Sequence, residues 1–89
     1  MSNQSELLAD VQNCANLFRL GKSFQAVDPM ADCFASLYQI LNAQALPVAE
    51  FGTVVTRALA CQERQDFAGL ADELEYVLLP LLHRFWPQS

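Results

Sequence analysis

The chain has 89 residues, 53% of them apolar or aromatic and 17% charged, with a net charge of −5. That length predicts a single domain, which buries only roughly 60–65% of its unfolded surface. The cations Arg19, Lys22, Arg57, Arg64 and Arg84 are scattered along the chain, which argues against a nucleic-acid surface and against attraction to an anionic membrane, since both need clustered Lys and Arg.

So large an apolar supply in so small a volume is expected to leave apolar surface exposed on a monomer, and such surface marks a partner face. A homodimer or a bound protein partner is therefore the default expectation. Cys14, Cys33 and Cys61 lie far apart without CxxC spacing, and read as free buried thiols in a reducing compartment. The N-terminal stretch has no basic n-region with a long apolar core, so it does not read as a signal peptide. No run approaches the ~20 apolar residues of a membrane span. The expected location is cytoplasmic.

The first helix is predicted over residues 5–20. Ser5 is its N-cap and Glu6 sits in the favourable first turn. Leu7, Leu8, Val11, Cys14, Ala15 and Phe18 recur at helical spacing. Gly21 ends it, because glycine accepts the left-handed conformation after a helix.

Ser23 is then placed to cap a second helix, over residues 23–42. So short a link makes the two helices antiparallel neighbours. The second helix carries Phe24, Val27, Met30, Ala31, Phe34, Leu37, Tyr38 and Leu41 on one broad face. Asp28-Pro29 interrupts it, either as a cap and fresh start or as a kink. The apolar period keeps its phase across Pro29, which favours one bent helix.

Pro47 opens a third helix, over residues 47–63. Its inner stripe is Val48, Phe51, Val55, Ala58 and Leu59, with Val54 and Cys61 alongside. Gly52 and the β-branched run Thr53 to Thr56 are weak helix formers, so packing must hold it.

Asp66 caps a fourth helix, over residues 66–86. Its inner stripe reads Phe67, Leu70, Ala71, Leu74, Val77, Leu78, Leu81 and Phe85. A second stripe, Tyr76, Leu79, His83 and Trp86, shares another side. A helix apolar on two sides is central to its bundle or packed on another chain. Pro80 removes the hydrogen bond to the Tyr76 carbonyl and is expected to bend the helix. The fold class is thus all-α, a four-helix bundle of two antiparallel hairpins.

Reactive groups are sparse. His83 is the single histidine and has no carboxylate within one turn on its own side. No HxxxH, CxxC or HExxH spacing marks a metal site, and no glycine pattern marks a nucleotide site. No cation or second thiol adjoins any cysteine in sequence, so none reads as reactive. Neither catalytic residues, nor a metal, nor a cofactor are expected. Asp72 and Glu75 lie one turn apart and share a face, while Glu73 points elsewhere. They read as a solvated acidic face near a helix start, or as an acidic rim orienting a partner. Tyr76, Leu79, His83 and Trp86 have the composition of interface anchors.

The stretch DFAGLADELEYVLLPLLHRFW resembles the C-terminal signature of a group of short, uncharacterised helical bacterial proteins. In that group LADxLEYEL is followed by a Pro-Leu and a closing tryptophan. Asp66, Leu70, Ala71, Asp72, Leu74, Glu75, Tyr76, Leu78, Pro80, Leu81 and Trp86 carry the match. Upstream, LFRLGKSFQAVDPMADCFASLYQIL is similar to the group's helical hairpin with its central glycine. The chain departs from the pattern at Val77, where the group has glutamate. The resemblance implies a motility accessory or a small chaperone-like protein. It also admits a packing role for the motif, with Asp72 and Glu75 facing a basic residue of a neighbouring helix and Pro80 setting a bend.

The function expected from these features is a non-enzymatic protein-interaction module, an adaptor or secretion-type chaperone. It would bind helix-in-groove through Tyr76, Leu79, His83 and Trp86, with Asp72 and Glu75 as rim. The alternative is a small helical enzyme or ligand-binding bundle whose site forms between helices or across a dimer, where Asp72, Glu75 and His83 could meet.

Overall fold

A computed structural model of the protein describes residues 4–85. Four helices account for nearly all of them, and no strand occurs among the described residues. Helix α1 is Gln4–Arg19, α2 is Ser23–Gln44 and α3 is Val48–Glu63. The last helix, α4, is continuous but not uniform. It runs as an α-helical start, Phe67–Asp72, a π-helical middle, Glu73–Leu78, and an α-helical end, Leu79–Phe85.

The helix ends follow from local chemistry. After α1 the Gly21 N–H donates to the Phe18 carbonyl and the Lys22 N–H to the Leu17 carbonyl. Gly21 takes φ +76°, so the turn is a Schellman motif on the residue type that adopts it without strain. Two further helix ends use the same geometry without glycine. Ala45 after α2 has φ 54° and Gln65 after α3 has φ 57°. In each case the next N–H reaches back five residues along the chain, Leu46 to Leu41 and Asp66 to Cys61. Asp66 caps α4 as expected, its Oδ1 accepting from the Gly69 N–H at 3.0 Å. Ser23 does not cap α2. It is the first helical residue, and Lys22 occupies the cap position with no side-chain bond, because the Schellman turn already commits Lys22 to the end of α1.

Helix α2 passes through Pro29 without a break. The continuous apolar period outweighs the one hydrogen bond that proline cannot donate. Its buried stripe is Ala26, Met30, Cys33, Phe34, Leu37 and Leu41. Phe24, expected on that face, is instead 99% exposed. At 100° per residue it lies roughly 120° round the helix from the stripe's centre, in a first turn with little to pack against. Leu59 and Val48 of α3 were likewise expected inside and are 45% and 40% exposed, while Val54 is buried.

The packed faces meet in one continuous apolar core to which all four helices contribute, with Phe51, Leu7, Met30, Leu37, Leu70, Leu74 and Leu82 among its most enclosed side chains. No polar or charged residue is buried among the described residues. The core is therefore held by area and fit, with each enclosed Leu or Phe worth about 1.5–3 kcal/mol. Helix α1 packs broadly on α2 and on α4, and α3 packs broadly on α4; α2 and α3 meet lightly. Phe18 stacks on Phe67 at 5.7 Å between centroids, and Phe51 meets Phe85 at the same separation. The end of α1 is thus set against the start of α4, and the start of α3 against its end.

The π-helical middle of α4 changes which residues face inward. The Leu79 N–H donates to the carbonyl of Leu74, five residues back. A π turn holds one residue more than an α turn. It widens the helix just before Pro80, whose ring would otherwise crowd the Tyr76 carbonyl. The residues beyond it rotate by one position. Leu79, expected on the outer stripe, is 7% exposed, and Leu82, absent from the expected inner stripe, is fully enclosed. Val77, expected inside, is only half-buried.

Candidate functional site

The acidic pair has a partner within the chain. Arg19, the last residue of α1, places Nη2 2.9 Å from Asp72 Oδ1 and Nε 3.3 Å from Glu75 Oε1. Gln12, two turns earlier on α1, donates to the same Glu75 oxygen at 3.2 Å. The guanidinium also lies 5.4 Å from the centre of the Tyr76 ring, a cation–π distance. The hydrogen bond to Asp72, followed by that to Glu75, raises the Arg19 pKa above its ordinary value. Position accounts for the cluster. Arg19 in the last turn of α1 complements that helix's dipole, and Asp72, Glu75 and Tyr76 fall on the side of α4 that adjoins α1. Arg19 and Glu75 are partly exposed and Asp72 mostly so, so the cluster orients α1 against α4 more than it stabilises the fold. An acidic rim is present, but it already faces a basic residue of a neighbouring helix.

Glu73 points the other way, as its spacing predicts. Its Oε1 is 3.8 Å from Arg57 Nη1 of α3, and Oε2 is buried without a hydrogen-bond partner. The contact is too long for a good hydrogen bond.

The four expected anchors on α4 do not form one exposed face. Tyr76 is 64% exposed and is covered on one side by Arg19. His83 is exposed. Leu79 belongs to the core for the reason given above. Trp86 lies outside the described residues. Nor do Asp72, Glu75 and His83 converge within one chain, because His83 is roughly 12 Å further along the helix axis than Glu75 at 1.5 Å per residue. Among the described residues no three His, Cys, Asp or Glu side chains stand close enough to hold a metal ion.

The exposed apolar surface lies elsewhere. Leu20, at the turn after α1, is 68% exposed, close in sequence to Phe24. Phe24 forms one wall of a shallow cavity of about 380 Å³ with Val27 of α2, Gln62 of α3, Gln65 in the turn that follows, and Phe67 at the start of α4. The period assigned Phe24 to the interior. The signal that could have found it is the phase of Ala26, Met30 and Phe34, which excludes Phe24.

A second cavity, of about 350 Å³, lies between α1 and α2. Cys14 and Cys33 line it, and Asp10, Asn13 and Asp32 are exposed at its rim. Helix pairing brings together two thiols that are distant in sequence. Cys61 is also not isolated, since Arg64 Nη2 lies 3.4 Å from its sulfur. All three cysteines are free and buried, as their spacing predicts.

No protein-family model, characterised protein or solved structure matches the chain.

Proposed function

We propose that this chain is a cytoplasmic protein-interaction module without catalytic activity, working through its exposed apolar surface, with a second copy of itself as first partner. One observation carries the reading: Phe24 is 99% exposed beside an apolar-walled cavity. Covering a phenylalanine side chain is worth about 1.5–3 kcal/mol, and Leu20, close by in sequence and also exposed, adds to it. The face is therefore centred on the α1–α2 turn rather than on α4, with Tyr76 and His83 as separate exposed positions. The resemblance of Asp66 to Trp86 to small bacterial helical proteins supports an accessory role in motility or secretion, as an adaptor or chaperone for a helical segment.

Light scattering over a concentration series tests the reading. The wild type is expected to pass from monomer to dimer, and Phe24→Ser to remain monomeric at the same concentrations. A wild type that stays monomeric throughout overturns self-association. A dimer untouched by Phe24→Ser but lost in Tyr76→Ala would move the interface back to α4.

A further inference from the structure

A different observation, independent of that reading, concerns the two thiols between α1 and α2. Cys14 and Cys33 are almost wholly buried, at 2% and 5% exposure. They lie on facing helices and line one cavity whose rim is polar and exposed. They sit on opposite arms of the hairpin that turns at Gly21, and their helices make the broad α1–α2 contact. We propose that Cys14 and Cys33 are an oxidation site for hydroperoxides, which convert the pair to an inter-helix disulfide and lock α1 to α2.

The two sulfurs are not equivalent. The Cys33 thiol donates a hydrogen bond to the Cys14 sulfur, which lowers the Cys14 pKa against the opposing effects of burial and of Asp10. The same bond, with burial and the charges of Asp10 and Asp32, pushes the Cys33 pKa up. Cys14 is thus the sulfur that attacks and Cys33 the thiol that resolves. Cys14 sulfur attacks one peroxide oxygen, the O–O bond breaks, and a sulfenic acid forms on Cys14 while the other oxygen leaves as hydroxide and takes up a proton as water. Cys33 sulfur then attacks Cys14 sulfur. The S–S bond forms, the S–O bond breaks, and the hydroxyl departs with the Cys33 proton as a second water. In sum two thiols and one hydrogen peroxide give one disulfide and two waters. The cavity admits so small an oxidant. Cys61, on α3, has Arg64 beside its sulfur instead of a second thiol and serves as the internal reference.

The test uses the full chain, reduced and then exposed to hydrogen peroxide, alkylated and digested without reductant for mass spectrometry. The expected product is a pair of peptides joined at Cys14 and Cys33, lighter by two hydrogens, with Cys61 alkylated. With limiting peroxide and dimedone present, the adduct is expected on Cys14 and not on Cys33. The oxidised protein is expected to melt roughly 10 °C higher than the reduced form, since the bond closes a loop of the length that gives such an effect, and dithiothreitol is expected to reverse this. Cys61→Ala is expected to give the same linked peptides. Alkylation of all three cysteines after peroxide treatment, sulfinic acid without a linked pair, or a link that includes Cys61 would each overturn the proposal.

Discussion

At the scale of single residues, three helix ends share one turn and differ in the residue that makes it. Gly21 has no Cβ to clash and nothing lies within 4 Å of where one would be. Ala45 and Gln65 hold the same left-handed conformation with a side chain, at a cost of about 1–2 kcal/mol each. Ala45→Gly and Gln65→Gly are expected to raise stability by about 0.5–1 kcal/mol each, the relief being partly offset by the greater freedom of glycine in the unfolded chain. Gly21→Ala is expected to lower it by about 1 kcal/mol. Urea titration of the three variants checks all of these. The sequence is legible here where residue type and conformation agree, at Gly21 and at Asp66. It is opaque at Ala45 and Gln65, because nothing in an alanine or glutamine announces a positive φ. The Arg19 cluster was half legible. Asp72 and Glu75 were visibly on one face, but their partner is more than fifty residues away, and only packing of α1 on α4 identifies it.

At the scale of the helix, α4 shows how one extra residue redirects a side. The periods of α1, α2 and α3 are regular enough that most of their buried positions are readable, since a helix of 3.6 residues per turn imposes them. In α4 the same reasoning places Leu78 and Leu81 inward, where they are, but misses Leu79 and Leu82, because the step from Leu74 to the next inward residues lengthens to four and five before Pro80. A uniform period assumes uniform winding, and the π turn breaks that assumption. Leu82→Ala is therefore expected to cost about 2–5 kcal/mol, the range for emptying an enclosed leucine site. Tyr76→Ala is expected to cost less than about 1 kcal/mol, as for most exposed positions. Thermal unfolding of the two variants checks the inward and outward assignments. A more demanding experiment removes the extra residue. With Tyr76 deleted, Leu78, Leu79, Leu82 and Phe85 fall three, four, seven and ten positions after Leu74, an ordinary α-helical stripe. Deletion of Tyr76 combined with Pro80→Ala is expected to leave a folded bundle, whereas deletion of Leu59, also an exposed residue, from α3 is expected to unfold it. Circular dichroism melts of the two deletions test this.

At the scale of the whole molecule, the all-α architecture was the most legible property. It follows from four periodic stretches separated by short turns. The candidate interaction surface was less so. An excess of apolar residues implies that some must be outside, but not which. Phe24 was assigned inward by local spacing and is outward because the bundle offers it no neighbour. Phe24→Ser is accordingly expected to change the melting temperature of a dilute monomer by no more than a few degrees, since the side chain buries nothing there. A large loss of stability on that substitution would show the ring to be packed.

The four helices are not joined evenly around their ring. Three of the contacts between neighbours are broad, and the α1–α4 one is also clasped by Arg19 and Gln12, while the fourth, between α2 and α3, is narrow. Such a ring has a seam. Fluctuations that part α2 from α3 disturb the fewest contacts, and so require the least free energy of any sub-global opening. In deuterium-exchange measurements the amides of α2 along this seam are expected to exchange through a low-energy opening that leaves the paired α1 and α4 protected. The cavity beside Phe24 lies at one end of the same line, so parting the seam widens that cavity.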